Sequence, residues 1–432
     1  MSIHPDLTGV LPENYFHHTF ANGLELVGQR MPGVNSLCFG IQFPAGAQEE
    51  PEDQLGLTHL LEYMMFQGTV HRNVRQITEA FESLGARHWS DANAEWARYA
   101  AQIVYTKFVP TLELMADIVR YPAFPEAEFN QMKSVVLQEI RRRQDEPMRR
   151  IFDLVRSHFF IGSTLGRPLL GTHESVSALT PDDLRAFWRA RYQPAGALIS
   201  IAGKFDWDAV VAQFADQFHD WNGPRPTSTP QHPQPRSKLA IERVDGTQEH
   251  IGLALPFATY GDPDYYAAVL AAEILGGGMT SRLFAEVREK RGLVYAVSAS
   301  FSPNAALGAM LIYAGTTPEK AQQTLSVILT ELHRLEQDGV TEDELRRAKV
   351  QVKSEVVMRG ESSAARMAAI ARSWWYERRL IPIQETKARI DAVTTEQIQG
   401  LLHRFPLTRT IVIGAIGPCS EEELTRDIDL PL

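Results

Sequence analysis

The chain has 432 residues, 44% hydrophobic and 22% charged, a globular balance in a length that exceeds one ordinary core. Its 43 basic and 53 acidic side chains leave a net charge of −10, which repels phosphate backbones and excludes nucleic acid as an expected partner. Two cysteines, Cys38 and Cys419, stand at opposite ends with neither metal spacing nor a disulfide framework, and are expected as reduced, mostly buried thiols.

The chain starts MSIHPDLTGVLPENYFHH, without a basic segment leading into an apolar core, so no signal peptide is read. No later stretch approaches the roughly 20 apolar residues of a membrane helix. The expected location is cytoplasmic, away from membranes. CFGIQFPAG (38–46) reads as a strand. GLTHLLEYMMFQGT (56–69) follows, and helical spacing puts His59, Glu62 and Tyr63 on one face. Two donors four apart on a helix can grip one ion while a neighbouring carboxylate activates water, as in the inverted zinc-peptidase motif H-x-x-E-H. Here the fifth position is Tyr63. Taken alone, such a helix is ordinary, and Glu62 and Glu139 are solvated carboxylates. Amphipathic periodicity predicts further helices at 74–84, 111–120 and 125–145, and one from Asp182 with Thr180 as its N-cap.

NGPRPTSTPQHPQPRSK (222–238) can neither continue a helix nor fill a sheet, and is expected to link two domains, 1–221 and 239–432. The flanks repeat. PEAEFNQMKSVVLQE (125–139) aligns with TEDELRRAKVQVKSE (341–355) at an offset of 216, pairing Glu139 with Glu355. TPDDL and TTEQI each lead to an apolar strand, ALISIAG (197–203) and TIVIGAIG (410–417). IGLALPF (251–257) reads as the counterpart of the first strand. A period this long implies duplicated domains rather than a solenoid. The expected fold is α+β: two similar domains, each an antiparallel sheet with helices on one face, forming a clamshell around a cavity. In the second half, GGG (276–278) lacks the Lys-Ser/Thr of a phosphate loop. SRLFAEVREKRGLVYAVSAS (281–300) reads as a helix, a break at Gly292 and a strand, with Arg288 in the last helical turn and Tyr295 opening the strand.

Together, the GLxH…FxGT context, the glutamate helix downstream, the duplication, and LGGGMTSRLF with RGLVY resemble the pitrilysin/insulinase family of zinc metallopeptidases. The likeness is strongest to the two-domain branch near mitochondrial processing peptidase, and it runs along nearly the whole chain. The resemblance implies that His59 matches the first zinc ligand, Glu62 the general base and Glu139 the third protein ligand, with Tyr63 where the second His belongs. It also implies two further departures: Met132 stands for a glutamate seven residues before Glu139, and Trp89 for the Asn of the substrate-binding strand. A phenol, with a reference pKa of about 10, binds zinc only after losing its proton. His59 and Glu139 alone make two ligands, too few for a tight site. No metal is therefore expected in this chain, and the motif is expected to be vestigial.

In the same family, an Arg and a Tyr at the spacing of Arg288 and Tyr295 bind the substrate backbone and oxyanion. Both are donors suited to negative charge developing on a carbonyl oxygen. Arg291 is the rival for the arginine role. Some family members are heterodimers in which one chain carries the zinc motif and the other the Arg/Tyr pair. The resemblance thus implies a non-hydrolytic, peptide-binding subunit whose homologous partner carries the intact motif and the zinc. Two alternatives stand beside it: a zinc endopeptidase with an atypical metal site, and a structural or binding protein with no part in cleavage.

Overall fold

Long apolar runs with little alternation mark the central strands, and they assemble into two sheets. The computed structural model describes residues 12–228 and 230–428. The N-terminal segment from which no leader is read falls largely on residues 1–11, outside that range. Strands β1 (Tyr15–Thr19), β2 (Glu25–Arg30), β3 (Ser36–Phe43), β4 (Arg87–Ala92), β5 (Ala97–Val104) and β6 (Leu198–Gly203) form one sheet in the order β1-β2-β6-β3-β5-β4. Strands β7 (Lys238–Arg243), β8 (Glu249–Phe257), β9 (Val294–Ser302), β10 (Gly308–Thr316) and β11 (Val412–Gly417) form the other, ordered β7-β11-β8-β10-β9.

Leaving β1 aside, the two orders are the same. Each sheet is antiparallel except for one pairing, β2 with β6 and β7 with β11, which are parallel. In each case the inserted strand returns after a long helical stretch, which lets it lie alongside the first strand in the same direction. The chain is thus an α+β protein built from a duplicated unit. Helices pack on one face of each sheet over a large apolar core. Thr180 caps its helix as expected, its side chain accepting from the backbone N–H of Asp183.

The second face of each sheet is covered as well, and by a helix from the other half of the chain. By contacts, one compact unit takes residues through 141, 167–229 and 357–382; the other takes 142–166, 230–356 and 383 onward. Each half therefore sends one segment across the boundary expected at 222–238. The helix Ser363–Glu377 buries Met367, Ile370, Ala371 and Trp374, a single helical stripe, against Cys38, Val27, Leu198 and Ala202 of the first sheet. Its Arg366 is buried too, donating to Gln29 Oε1 (2.7 Å) and to the Tyr15 hydroxyl (2.8 Å). The helix Pro147–Phe159 opens with proline in its first turn and buries Ile151, Val155 and Phe159.

Ile151 and Val155 press onto strands that carry glycine at the point of contact. A Cβ added at Gly252 would lie 2.7 Å from Ile151 Cγ1, and one at Gly414 would lie 2.6 Å from Val155 Cγ1. Glycine there lets the helix come closer to the sheet than a side chain would allow. Both cysteines are free and buried. Among the described residues, no helix is long and apolar enough to cross a membrane.

Candidate functional site

The motif helix, Leu57–Met64, begins at Gly56, whose φ of 88° is one that side chains rarely adopt. A side chain is also excluded sterically, since an added Cβ would lie 2.6 Å from the Leu170 carbonyl oxygen. No residue at the helix start supplies a side-chain cap. Instead Glu50, 3% exposed, accepts from the backbone N–H groups of Gly56 (3.0 Å) and Thr58 (2.7 Å), placing negative charge at the positive end of the helix.

Burial pushes the Glu50 carboxyl up to about 7, against the pull of those N–H groups and of Arg167. The folded protein therefore holds this proton more tightly than the unfolded chain does. The stability it contributes is present at low pH and is lost as pH rises from the ordinary value of 4.5 through about 7. Wild type is expected to lose at most about 3 kcal/mol more than Glu50→Gln over that window. Melting temperatures of both proteins at pH values on either side of it measure the difference. Parallel curves would contradict this account.

On one face of the same helix the predicted residues come together, with Glu62 buried and His59 and Tyr63 partly buried. His59 lies between two carboxylates, with Nδ1 3.2 Å from Glu62 Oε2 and Nε2 2.8 Å from Glu139 Oε2. The Tyr63 hydroxyl donates to the other oxygen, Glu139 Oε1, at 2.7 Å. Glu139 reaches the cluster from the helix Glu126–Gln144. Burial opposes charge on His59, but the bonds with Glu62 and Glu139, and their charges, outweigh it and raise its pKa. Hydrogen bonds to two carboxylates favour the charged form of the ring. Behind it, the Tyr99 and Tyr192 hydroxyls share a buried hydrogen bond of 2.8 Å. Burial raises both phenols, and the nearby charge of Glu62 adds to the effect.

This donor set does not fit a tightly held zinc. It offers one imidazole, His59, and two carboxylates, of which Glu62 stands at the general-base position and Glu139 alone at a ligand position, its two oxygens facing His59 and Tyr63. The phenol in the position of a second imidazole acts as a donor. Among the described residues, no three His, Cys, Asp or Glu side chains gather as ligands for an ion.

Two other predicted positions lie apart from the cluster. Met132 is half-buried and packs into the apolar core of its unit. Trp89 lies on β4 opposite Ala100 and packs with Cys38, Ala202 and Met367, on the face covered by the helix Ser363–Glu377. Its neighbour His88, pointing the other way, stacks on Phe81 at 3.9 Å.

In the second unit, Arg288 belongs to the π-helical turn Phe284–Glu289. Its guanidinium lies over the Phe284 ring at 5.0 Å, it is exposed, and among the described residues no carboxylate pairs with it. Arg291, by contrast, is tied to Glu286, donating to its carboxylate and its carbonyl oxygen, each at 2.7 Å. Tyr295 is 44% exposed, and its ring lies across Gly315, where an added Cβ would overlap it. Its hydroxyl donates to Gln248 Oε1 at 3.1 Å and is 3.4 Å from His250 Nδ1 and 3.3 Å from the Tyr313 hydroxyl. His250 and Tyr313 are themselves 3.0 Å apart and buried. Burial lowers the His250 pKa, keeping the ring neutral.

Gln248, His250 and Tyr313 did not emerge from the sequence. For His250 and Tyr313 the available signal was a single polar ring in each of two mostly apolar strands, EHIGLALPF and GAMLIYAGT. The glycines at 276–278 allow close packing: a Cβ at Gly276 would overlap the backbone of Ala299.

Known proteins share this sequence and fold. Residues 29–173 match the family model described as insulinase (peptidase family M16), and residues 178–352 match the one described as peptidase M16 inactive domain. An uncharacterized zinc protease of Streptomyces coelicolor is 31% identical over 418 residues, spanning 94% of this chain and 90% of that protein. The uncharacterized zinc protease YmxG of Bacillus subtilis is 28% identical, spanning 93% of this chain and 98% of that protein. Among solved structures, a peptidase M16 inactive domain from Pseudomonas fluorescens matches with a TM-score of 0.87 at 23% identity, covering 94% of this chain and 98% of that one. A protease from Helicobacter pylori matches with a TM-score of 0.87 at 18% identity, covering 93% and 99%.

Proposed function

This chain belongs to the insulinase (M16) family of peptidases, and we propose that within it the chain serves as a non-hydrolytic, substrate-binding subunit paired with a homologous zinc-bearing partner. One observation carries the reading: the Tyr63 phenol occupies the second ligand position and donates to Glu139, the remaining carboxylate ligand. His59 is bonded between Glu62 and Glu139, so the remaining motif side chains and Tyr63 already engage one another.

The exposed pair in the second unit supports the positive half of the proposal. Among the described residues no carboxylate pairs with Arg288, and Tyr295 presents a hydroxyl held by Gln248. A guanidinium and a phenol placed at a partner's reaction centre would donate to the oxygen of the peptide carbonyl as it gains negative charge. Among the described residues β4 pairs with β5 alone, and its outer edge can add an extended peptide as a further strand. The names of the relatives, uncharacterized zinc proteases, favour a second reading, a zinc peptidase with an atypical metal site.

Metal content and native mass of the protein purified from its own cells separate the two. The expected result is a complex with a second chain of similar size that carries H-x-x-E-H and the zinc. The isolated chain is expected to retain no stoichiometric zinc at neutral pH and to cleave no unstructured peptide. Zinc held tightly by this chain alone, together with chelator-sensitive cleavage, would overturn the proposal.

A further inference from the structure

The second unit also contains a cavity of about 600 Å³, bounded by the end of the helix Tyr265–Gly276, residues 278–281 and the first half of the helix Glu342–Arg359. Most of its charged groups are already paired. Arg346 and Arg347 both bond Asp343, and Glu344 holds Arg282 through two bonds of 2.7 and 2.8 Å. Glu273 is different. It is half-buried, its carboxylate folds back over Gly277, and among the described residues no donor is bonded to it. Burial, and then the charge of Glu355, raises its pKa. Ser281 lines the same cavity, is 4% exposed, and its hydroxyl has no hydrogen-bond partner. Buried polar groups are ordinarily satisfied, so two deficits in one cavity point to a missing donor.

The duplication gives the same answer from another direction. Glu355 is the counterpart of Glu139. In the first unit, the carboxylates of Glu62 and Glu139 are both hydrogen-bonded to the His59 ring. In the second, Glu273 feels the charge of Glu355 but has no cation bonded to it. We propose that this cavity binds a primary ammonium group of a polypeptide, from a lysine side chain or a free amino terminus, with Glu273 as counter-ion and Ser281 as a further acceptor. Ile274 and Met279 offer apolar surface for the methylene stem. An alkylammonium suits the cavity better than a metal ion, because the walls do not bring three ligating side chains together.

The test uses the full chain and three pentapeptide amides, with binding followed by calorimetry. The first is N-acetyl-Ala-Ala-Lys-Ala-Ala-amide, the second has norleucine in place of lysine, and the third is all-alanine with a free amino terminus. Binding of the first or the third, weakened at least about tenfold by Glu273→Gln, supports the site and identifies the source of the ammonium. The norleucine peptide is expected to bind at least about tenfold more weakly than the lysine peptide. Glu273→Gln is isosteric, and its melting temperature is expected to equal or exceed that of wild type. Should it fail to fold, Met279→Lys at an exposed position supplies a competing ammonium and is expected to weaken binding to a similar degree. Binding of the norleucine peptide as tight as that of either amine peptide that binds, or binding of no amine peptide, would overturn the proposal. So would Glu273-dependent binding of calcium chloride in preference to the peptides. None of these results bears on Arg288 and Tyr295, whose role stands or fails separately.

Discussion

Arg288→Ala, and separately Tyr295→Phe, are expected to lower turnover by the reconstituted pair by about 10²–10³, with little change in assembly or thermal stability. That is the typical loss when one donor to a developing oxyanion is removed. The structure explains why folding should survive. Arg288 is exposed, its guanidinium lies over the face of Phe284, and its removal leaves no buried charge unpaired. Tyr295→Phe keeps the ring over Gly315 and gives up a half-exposed bond to Gln248. Arg291→Ala is the control, since Arg291 is already bonded to Glu286. The loss should appear in kcat, because these donors bind most strongly when charge develops. If both mutants cleave like wild type, the chain does not contribute to the reaction centre, and a structural role becomes the better reading.

The second large effect concerns metal. Tyr63→His removes the phenol bonded to Glu139 and returns a second imidazole four residues after His59, on the same helical face. The isolated variant is expected to retain about one zinc per chain after dialysis, where wild type retains none. Its peptidase activity is expected to stay roughly 10–100-fold below that of an intact relative, the usual cost of losing a group that orients a ligand. Met132 accounts for that shortfall, since a thioether packed in the core cannot hydrogen-bond a ligand. A variant that takes up no zinc would show that more than Tyr63 spoils the site. One as active as an intact relative would show that Met132 does not matter.

Much of this was legible in the sequence because it depends on local spacing. His59, Glu62 and Tyr63 share a helical face by period alone, and the offset of 216 that pairs Glu139 with Glu355 brought out the duplication. Trp89 shows the limit of such reading. Motif position placed it with the substrate strand, but strand alternation turns its ring to the outer face of the sheet, where it packs with Met367. The cover on that outer face was not foreseen either, although a trace of it was visible. Strands such as LISIAG and VIGAIG are apolar at successive positions, the mark of a sheet buried on both sides. The unreadable part was which helix supplies the cover, because that contact joins residues more than 300 positions apart, as between Ser36 and Ser363 (3.1 Å).

That exchange of helices constrains how the protein can be made. A ribosome releases the N-terminal half first, and domains commonly fold as they emerge. Here the first sheet has all six strands once Gly203 has appeared, yet the helix that seals its outer face is complete only at Glu377. During that interval Val27, Cys38, Leu198 and Ala202 remain uncovered. The helix Pro147–Phe159, made early, must in turn wait for β8 and β11. Synthesis of the two halves as separate genes would leave each product with an unsealed sheet and a helix that has no sheet of its own.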